Sequence, residues 1–142
     1  MVECGTTCLA MIFKYYGYYN IQPLLNKMAD VTTDGTSLYD IGTLCEQFGF
    51  QADAYEFYSV DQLETITLPC IAHYNGNHFV VIHRIDKTHV WIADPAYGKD
   101  QLTIEQFRSR WSGVALVIEP TPEMFKNQDL TEMVEDFLKE KK

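Results

Sequence analysis

His78-Phe79-Val80-Val81-Ile82-His83-Arg84-Ile85-Asp86-Lys87-Thr88-His89-Val90-Trp91-Ile92-Ala93-Asp94-Pro95 is the stretch that decides the fold. Two β-branched runs, Phe79 to Arg84 and His89 to Ala93, flank the turn residues Asp86-Lys87, so the spacing predicts an antiparallel hairpin. Asp94-Pro95 ends the second run, because proline has no N–H for the ladder and turns its predecessor away from helix. Pairing Ile85 with Thr88 predicts Pro95 opposite His78 and Asp94 opposite Phe79. A loop one residue different predicts Asp94 directly across from His78. Facing Cβ atoms lie about 4.5–5.5 Å apart, so in either register a carboxylate is expected within reach of an imidazole.

Outward from the hairpin, Pro69 to Tyr74 reads as a preceding strand joined through the tight turn Asn75-Gly76-Asn77. Gln51 to Phe57 alternates loosely as another strand. Ser59 with Gln62, and Thr103 with Gln106, have capping-box spacing and predict short helices, the second running through Phe107 and Arg110. Val114 to Ile118 supplies a final strand. The N-terminal part has a helical period instead. Cys8, Leu9, Met11, Ile12, Tyr15 and Tyr16 mark a first helix that begins close to Cys4 and stops at Gly17. Ile21, Leu24, Leu25 and Met28 mark a second. After the loop Asp34-Gly35-Thr36-Ser37, a third buries Leu38, Ile41, Cys45 and Phe48 and closes at Gly49. Helices first and antiparallel strands after make an α+β plan.

The 142 residues, 46% of them hydrophobic, suit one compact domain. With 20 acidic against 11 basic side chains the net charge is -9, which would repel a phosphate backbone and argues against nucleic acid as a partner. No apolar run approaches the roughly 20 residues that cross a bilayer, so no direct membrane insertion by this chain is expected. The start lacks a basic segment followed by an apolar one, so no secretion signal is read. Beyond Pro120 and Pro122 the composition changes. Asp129 to Lys142 is strongly charged, with Leu130, Met133, Val134, Phe137 and Leu138 at helical spacing, an amphipathic extension covering 121–142.

Among the four cysteines, Cys8, Cys45 and Cys70 read as buried thiols, and Cys4 stands apart. A thiol at a helix N-terminus faces the positive end of the macrodipole and unsatisfied N–H groups, which favour the thiolate, and Gly5 leaves room for a substrate backbone beside it. A thiolate nucleophile needs a base and the base an orienting group, both drawn from distant sequence. His78 and Asp94 supply them. His83 and His89 flank the far end of the hairpin and are expected to face solvent, and His73, on the preceding strand, has no carboxylate in view. Zinc held by Cys4, Cys8 and histidines is the competing reading. Knuckle spacings are tighter, however, and Cys8 lies on the apolar stripe, so neither metal nor cofactor is expected.

Glu3-Cys4-Gly5-Thr6-Thr7-Cys8-Leu9-Ala10-Met11-Ile12 with Tyr15-Tyr16-Gly17 resembles the opening of the bacteriocin-processing peptidase domains of peptidase-containing ABC transporters. Leu68 to Val81 is similar to that family's histidine segment, Ile92 to Gly98 to its aspartate segment, and Trp111-Ser112-Gly113 also matches in order. The resemblance implies a papain-like fold over residues 1–120, its N-terminal helical half packed on a C-terminal antiparallel β-sheet. It implies Cys4 as nucleophile, His78 as base and then acid, and Asp94 as orienting group. It implies a cysteine endopeptidase at the cytoplasmic face of a bacterial membrane. That enzyme cuts the leader of a secreted peptide precursor after a Gly-Gly pair, coupled to the transmembrane and ATP-binding regions of the transporter, toward which 121–142 would lead. The alternative is a domain that docks the leader without cutting it. The family's oxyanion-hole glutamine, several residues before the cysteine, has no counterpart in Met1-Val2-Glu3.

Overall fold

The computed structural model describes residues 4–29, 37–123 and 139. The residues before Cys4, the loop at 34–36 and the amphipathic stretch expected over 129–142, save position 139, lie outside them.

Helix α1 (Cys4–Tyr15) forms where the apolar stripe predicts, with Cys8, Leu9, Ile12 and Phe13 buried along it. Gly17 stops it. With φ at 99°, Gly17 lets Tyr18 N donate to Phe13 O at 2.9 Å while Gly17 N donates to Lys14 O at 3.0 Å, the paired bonds of a Schellman end. Helix α2 (Gln22–Ala29) buries Leu25 and Met28. Helix α3 (Leu38–Gln47) is capped by Ser37, whose Oγ accepts from Asp40 N at 3.1 Å, and it buries Ile41, Leu44 and Cys45.

The strands are β1 (Phe50–Glu56), β2 (Cys70–Tyr74), β3 (His78–Ile85), β4 (His89–Asp94), β5 (Gly98–Thr103) and β6 (Trp111–Pro120). They form one antiparallel sheet in the order β1-β6-β2-β3-β4-β5. A 3-10 segment (Val60–Thr65) follows β1, and helix α4 (Ile104–Arg110) precedes β6. Both predicted capping boxes form. Thr103 Oγ1 accepts from Gln106 N at 3.2 Å while Gln106 Oε1 accepts from Thr103 N at 2.9 Å. Gln62 Oε1 accepts from Ser59 N at 3.4 Å.

Alternation along the strands gives the sheet two apolar faces, each needing a cover. One face presents Ile71, Phe79, Val81, Leu116 and Ile118 to the three N-terminal helices, with α1 packed on β2 and β3 and α3 on β1 and β6. The other face presents Cys70, Ala72, Val80, Ile82 and Ile92 to Val60 and Leu63 of the 3-10 segment and Phe107 of α4. The helical half is therefore packed on the sheet as expected.

Two features depart from expectation. Strand β5 pairs along the whole of β4, although its sequence GKDQLT carries no strand pattern and all but Leu102 is exposed. The β3–β4 register also differs. Asp86 N donates to His89 O at 3.0 Å, Ile85 pairs with Val90 and Arg84 with Trp91, and a bulge at His83 then shifts the pairing to Ile82 with Ile92 and Val81 with Ala93. Ile85 does not pair with Thr88. Continued by one step, the shifted register sets Asp94 opposite Val80, two residues from His78.

Candidate active site

Paired residues of an antiparallel ladder point to the same side, and neighbours along a strand to opposite sides. Asp94 opposite Phe79, one of the expected registers, would therefore have pointed away from His78. Counting from the observed turn without the bulge would set Asp94 opposite Val81, again on the wrong side. The extra residue at His83 restores parity, and His78 Nε2 lies 2.7 Å from Asp94 Oδ1.

The carboxylate is held from its own chain as well. Asp94 Oδ1 accepts from Ala96 N at 2.8 Å, and Asp94 O accepts from Tyr97 N at 3.2 Å, so the turn into β5 orients the group that orients the ring. Asp94 is buried, with its side chain 9% exposed against 19% for His78. With Nε2 engaged, Nδ1 is the ring nitrogen left for chemistry, and it has no hydrogen-bond partner among the described residues.

Cys4 is the first residue of α1. It retains 5% exposure while Cys8, Cys45 and Cys70 have none, and all four thiols are free. It belongs to the same core cluster as Phe79, the residue after His78. Cys8, one turn along the helix, reports on the space between. Burial pushes its thiol well above the ordinary range, and the charges of Cys4 and Asp94 push it further the same way. The head of α1 and the carboxylate at the end of β4 thus share one electrostatic neighbourhood. Cys8, expected as a buried thiol and in the competing reading as a zinc ligand, is fully buried.

The other histidines are placed apart from this pair. His83, at the bulge, is exposed. His89 was expected in solvent and is instead half-buried, its Nδ1 2.8 Å from Thr88 Oγ1. The half-buried His73 has Ser112 Oγ 2.9 Å from its Nδ1. Among the described residues no three His, Cys, Asp or Glu side chains converge as metal ligands.

The family model described as the peptidase C39 family matches residues 1–123. The chain belongs to the peptidase C39 family. Over 126 residues this C39 chain is 37% identical to the lactococcin-G-processing and transport ATP-binding protein LagD of Lactococcus lactis subsp. lactis, an alignment covering 85% of the chain and 18% of that protein. It therefore spans about a fifth of the length of that curated relative. A solved double glycine motif protease from an AMS/PCAT transporter, in complex with the leader peptide, superposes with a TM-score of 0.80 at 30% identity, covering 85% of this chain and 86% of that one. The peptidase domain of Streptococcus ComA, a bi-functional ABC transporter involved in a quorum sensing pathway, has the same fold. Its TM-score is 0.77 at 23% identity, over 84% of this chain and 93% of that one. The papain-like α+β architecture and a peptidase of the cysteine kind follow from this membership. No helix among the described residues is long and apolar enough to cross a membrane.

Proposed function

We propose that this C39 domain is a cysteine endopeptidase that cuts a peptide precursor after a Gly-Gly pair, with Cys4 as nucleophile, His78 as base and acid, and Asp94 as the orienting group. The observation that carries the reading is the 2.7 Å bond between His78 Nε2 and the buried carboxylate of Asp94, with Cys4 at the head of α1, the helix packed on the strand that carries His78. The bond holds the ring in one orientation and stabilises the imidazolium that forms during turnover.

Cys4 Sγ attacks the carbonyl of the second glycine as its proton passes to His78 Nδ1. The tetrahedral adduct collapses by breaking the C–N bond, and the proton from Nδ1 leaves with the amine. Water, deprotonated by the same nitrogen, then hydrolyses the thioester and returns the thiol. A nucleophile with only 5% exposure suits a substrate that narrows to bare backbone at the cut, and two glycines have no Cβ to exclude. The solved relative is a double glycine motif protease in complex with the leader peptide, which supports a leader as the substrate segment here.

LagD is named as a processing and transport ATP-binding protein, and this chain matches less than a fifth of it. The reading therefore extends to a longer protein. The domain would work at the cytoplasmic face of a bacterial membrane, with residues 121–142 leading toward the transmembrane and ATP-binding regions of an ABC transporter. The test is incubation with a leader peptide carrying a Gly-Gly pair, followed by mass spectrometry. A single cut after the pair that disappears in Cys4→Ala is expected. Binding of the leader by the wild-type chain with no cut would sink the peptidase reading and leave a docking domain.

A further inference from the structure

The N–H groups of Cys4, Gly5, Thr6 and Thr7 have no acceptor inside α1, so the turn that carries the sulfur is an end from which the helix can fray. Helix α2 holds this turn from the side. Thr6 Oγ1 donates to Asn26 Oδ1 at 2.6 Å, and Gln22 Nε2 donates to Thr7 Oγ1 at 2.5 Å. Gln22 and Asn26 stand one turn apart on α2 and share a face. Both bonds meet α1 in its first turn, two and three residues after Cys4. The connection brings this about. Tyr15 ends α1 and Gln22 begins α2, yet Gln22 bonds to Thr7, so residues 16–21 return about 12 Å along α1 before α2 starts.

The burial of Thr6 points to direction as its purpose. Among the described residues, the buried polar side chains are Thr6 and Asp94. Asp94 orients His78 through a hydrogen bond, and Thr6 stands in the same relation to the turn of Cys4. A valine has the same shape and carries no polar cost, whereas an enclosed hydroxyl is unfavourable unless it is bonded. What the hydroxyl adds is a bond of restricted length and angle, which fixes the rotation and height of one helix against the next.

We propose that Thr6, Thr7, Gln22 and Asn26 form a clamp between α1 and α2 that sets the position of Cys4 Sγ, with Thr6 and Asn26 as its principal positioning residues. The inference rests on the reading of Cys4 as the nucleophile. Packing on β3 fixes the body of α1, and the clamp fixes the turn that carries the sulfur. Its side chains act through Cys4 and not on the substrate, so the clamp governs the reaction step and leaves leader binding alone.

The experiment measures kcat and KM on a Gly-Gly leader peptide for wild type, Thr6→Val, Thr6→Ser, Asn26→Ala and the double variant carrying Thr6→Val with Asn26→Ala. Hydrogen exchange is read in parallel at the amides of Cys8 to Met11, which donate to the carbonyls of the first turn. Leu63→Ala, in the other core, is the destabilised control. Thr6→Val and Asn26→Ala should each lower kcat about tenfold or more with KM within about twofold. Each should also speed exchange at those amides about three- to tenfold, the worth of one hydrogen bond. The double variant should be no slower than the worse single one, because the two side chains share a bond. Thr6→Ser keeps the hydroxyl, and both it and Leu63→Ala should hold kcat within about threefold of wild type. An unchanged kcat in Thr6→Val and Asn26→Ala, losses that add in the double variant, or a loss as large in Thr6→Ser or Leu63→Ala would each overturn the inference. Should Thr6→Val not fold, Asn26→Ala and Gln22→Ala, at half-buried positions of α2, carry the same comparison. If wild type cuts no leader, the peptidase reading fails on its own, and exchange still decides on the clamp: an unchanged rate in Asn26→Ala overturns it.

Discussion

Asp94 carries two bonds on one oxygen, to His78 Nε2 and to Ala96 N, so substitutions there separate orientation from charge. Asp94→Ala removes both, and kcat for leader cleavage is expected to fall by about 10² or more. Asp94→Asn keeps an oxygen able to accept both bonds, and papain-like sites with a Cys-His-Asn set exist, so its kcat should lie between those of Ala and wild type. Equal activity in all three would remove Asp94 from the mechanism. The buried thiols make a second prediction. Burial raises Cys8 and Cys45, and pushes Cys70 up to about 12 from an ordinary 9.0. The unfolded chain releases these protons near pH 9 and the folded chain holds them, so the folded state binds more protons above that point. Stability is then full below pH 9 and declines as pH rises toward 12. Urea unfolding in reductant at a series of pH values should show this decline, with a slope shallower by up to one proton in Cys70→Ala. An identical slope in the variant would contradict it.

At the scale of elements, the β2–β3 turn places both Asn75 and Gly76 in the left-handed region, at φ 48° and 75°. A Cβ on Gly76 would meet nothing within 4 Å, so Gly76→Ala isolates the backbone term. Its unfolding free energy should drop by about 1 kcal/mol, read from denaturant midpoints, with an unchanged m-value. Glycine, proline and capping residues were legible because each acts locally. Gly17, Gly49 and the Thr103–Gln106 box all stand where the sequence put them. The His78–Asp94 contact was legible to the same extent, since His78 begins one strand and Asp94 ends the next. The route by which they meet was not. A bulge at His83 leaves no mark in composition, and the unbulged count puts the carboxylate on the wrong side. Strand β5 was invisible for a different reason. Its outer edge and most of its side chains meet solvent, so its stability comes from backbone bonds to β4, and no hydrophobic alternation is required of GKDQLT.

Across the whole molecule, the sheet separates two cores, and only the one under the helices fixes the head of α1 against β3. Leu9 on α1 and Leu63 on the opposite side are both fully buried. Leu9→Ala and Leu63→Ala should each cost about 2–5 kcal/mol of stability. At a temperature where both remain folded, Leu9→Ala should lose several-fold more kcat/KM than Leu63→Ala, because its cavity loosens the element that aims the sulfur. Equal losses would mean that the two cores position the chemistry jointly.

The uneven sealing of the four sulfurs also bears on inhibition. All four cysteines are buried and Cys4 alone retains any residue exposure, so intact-protein mass spectra of the native chain treated with a small chloroacetamide or acrylamide should stop at a single adduct. Covalent drug leads against this domain are therefore optimised for fit around Cys4, with no competing cysteine of the same fold to design around.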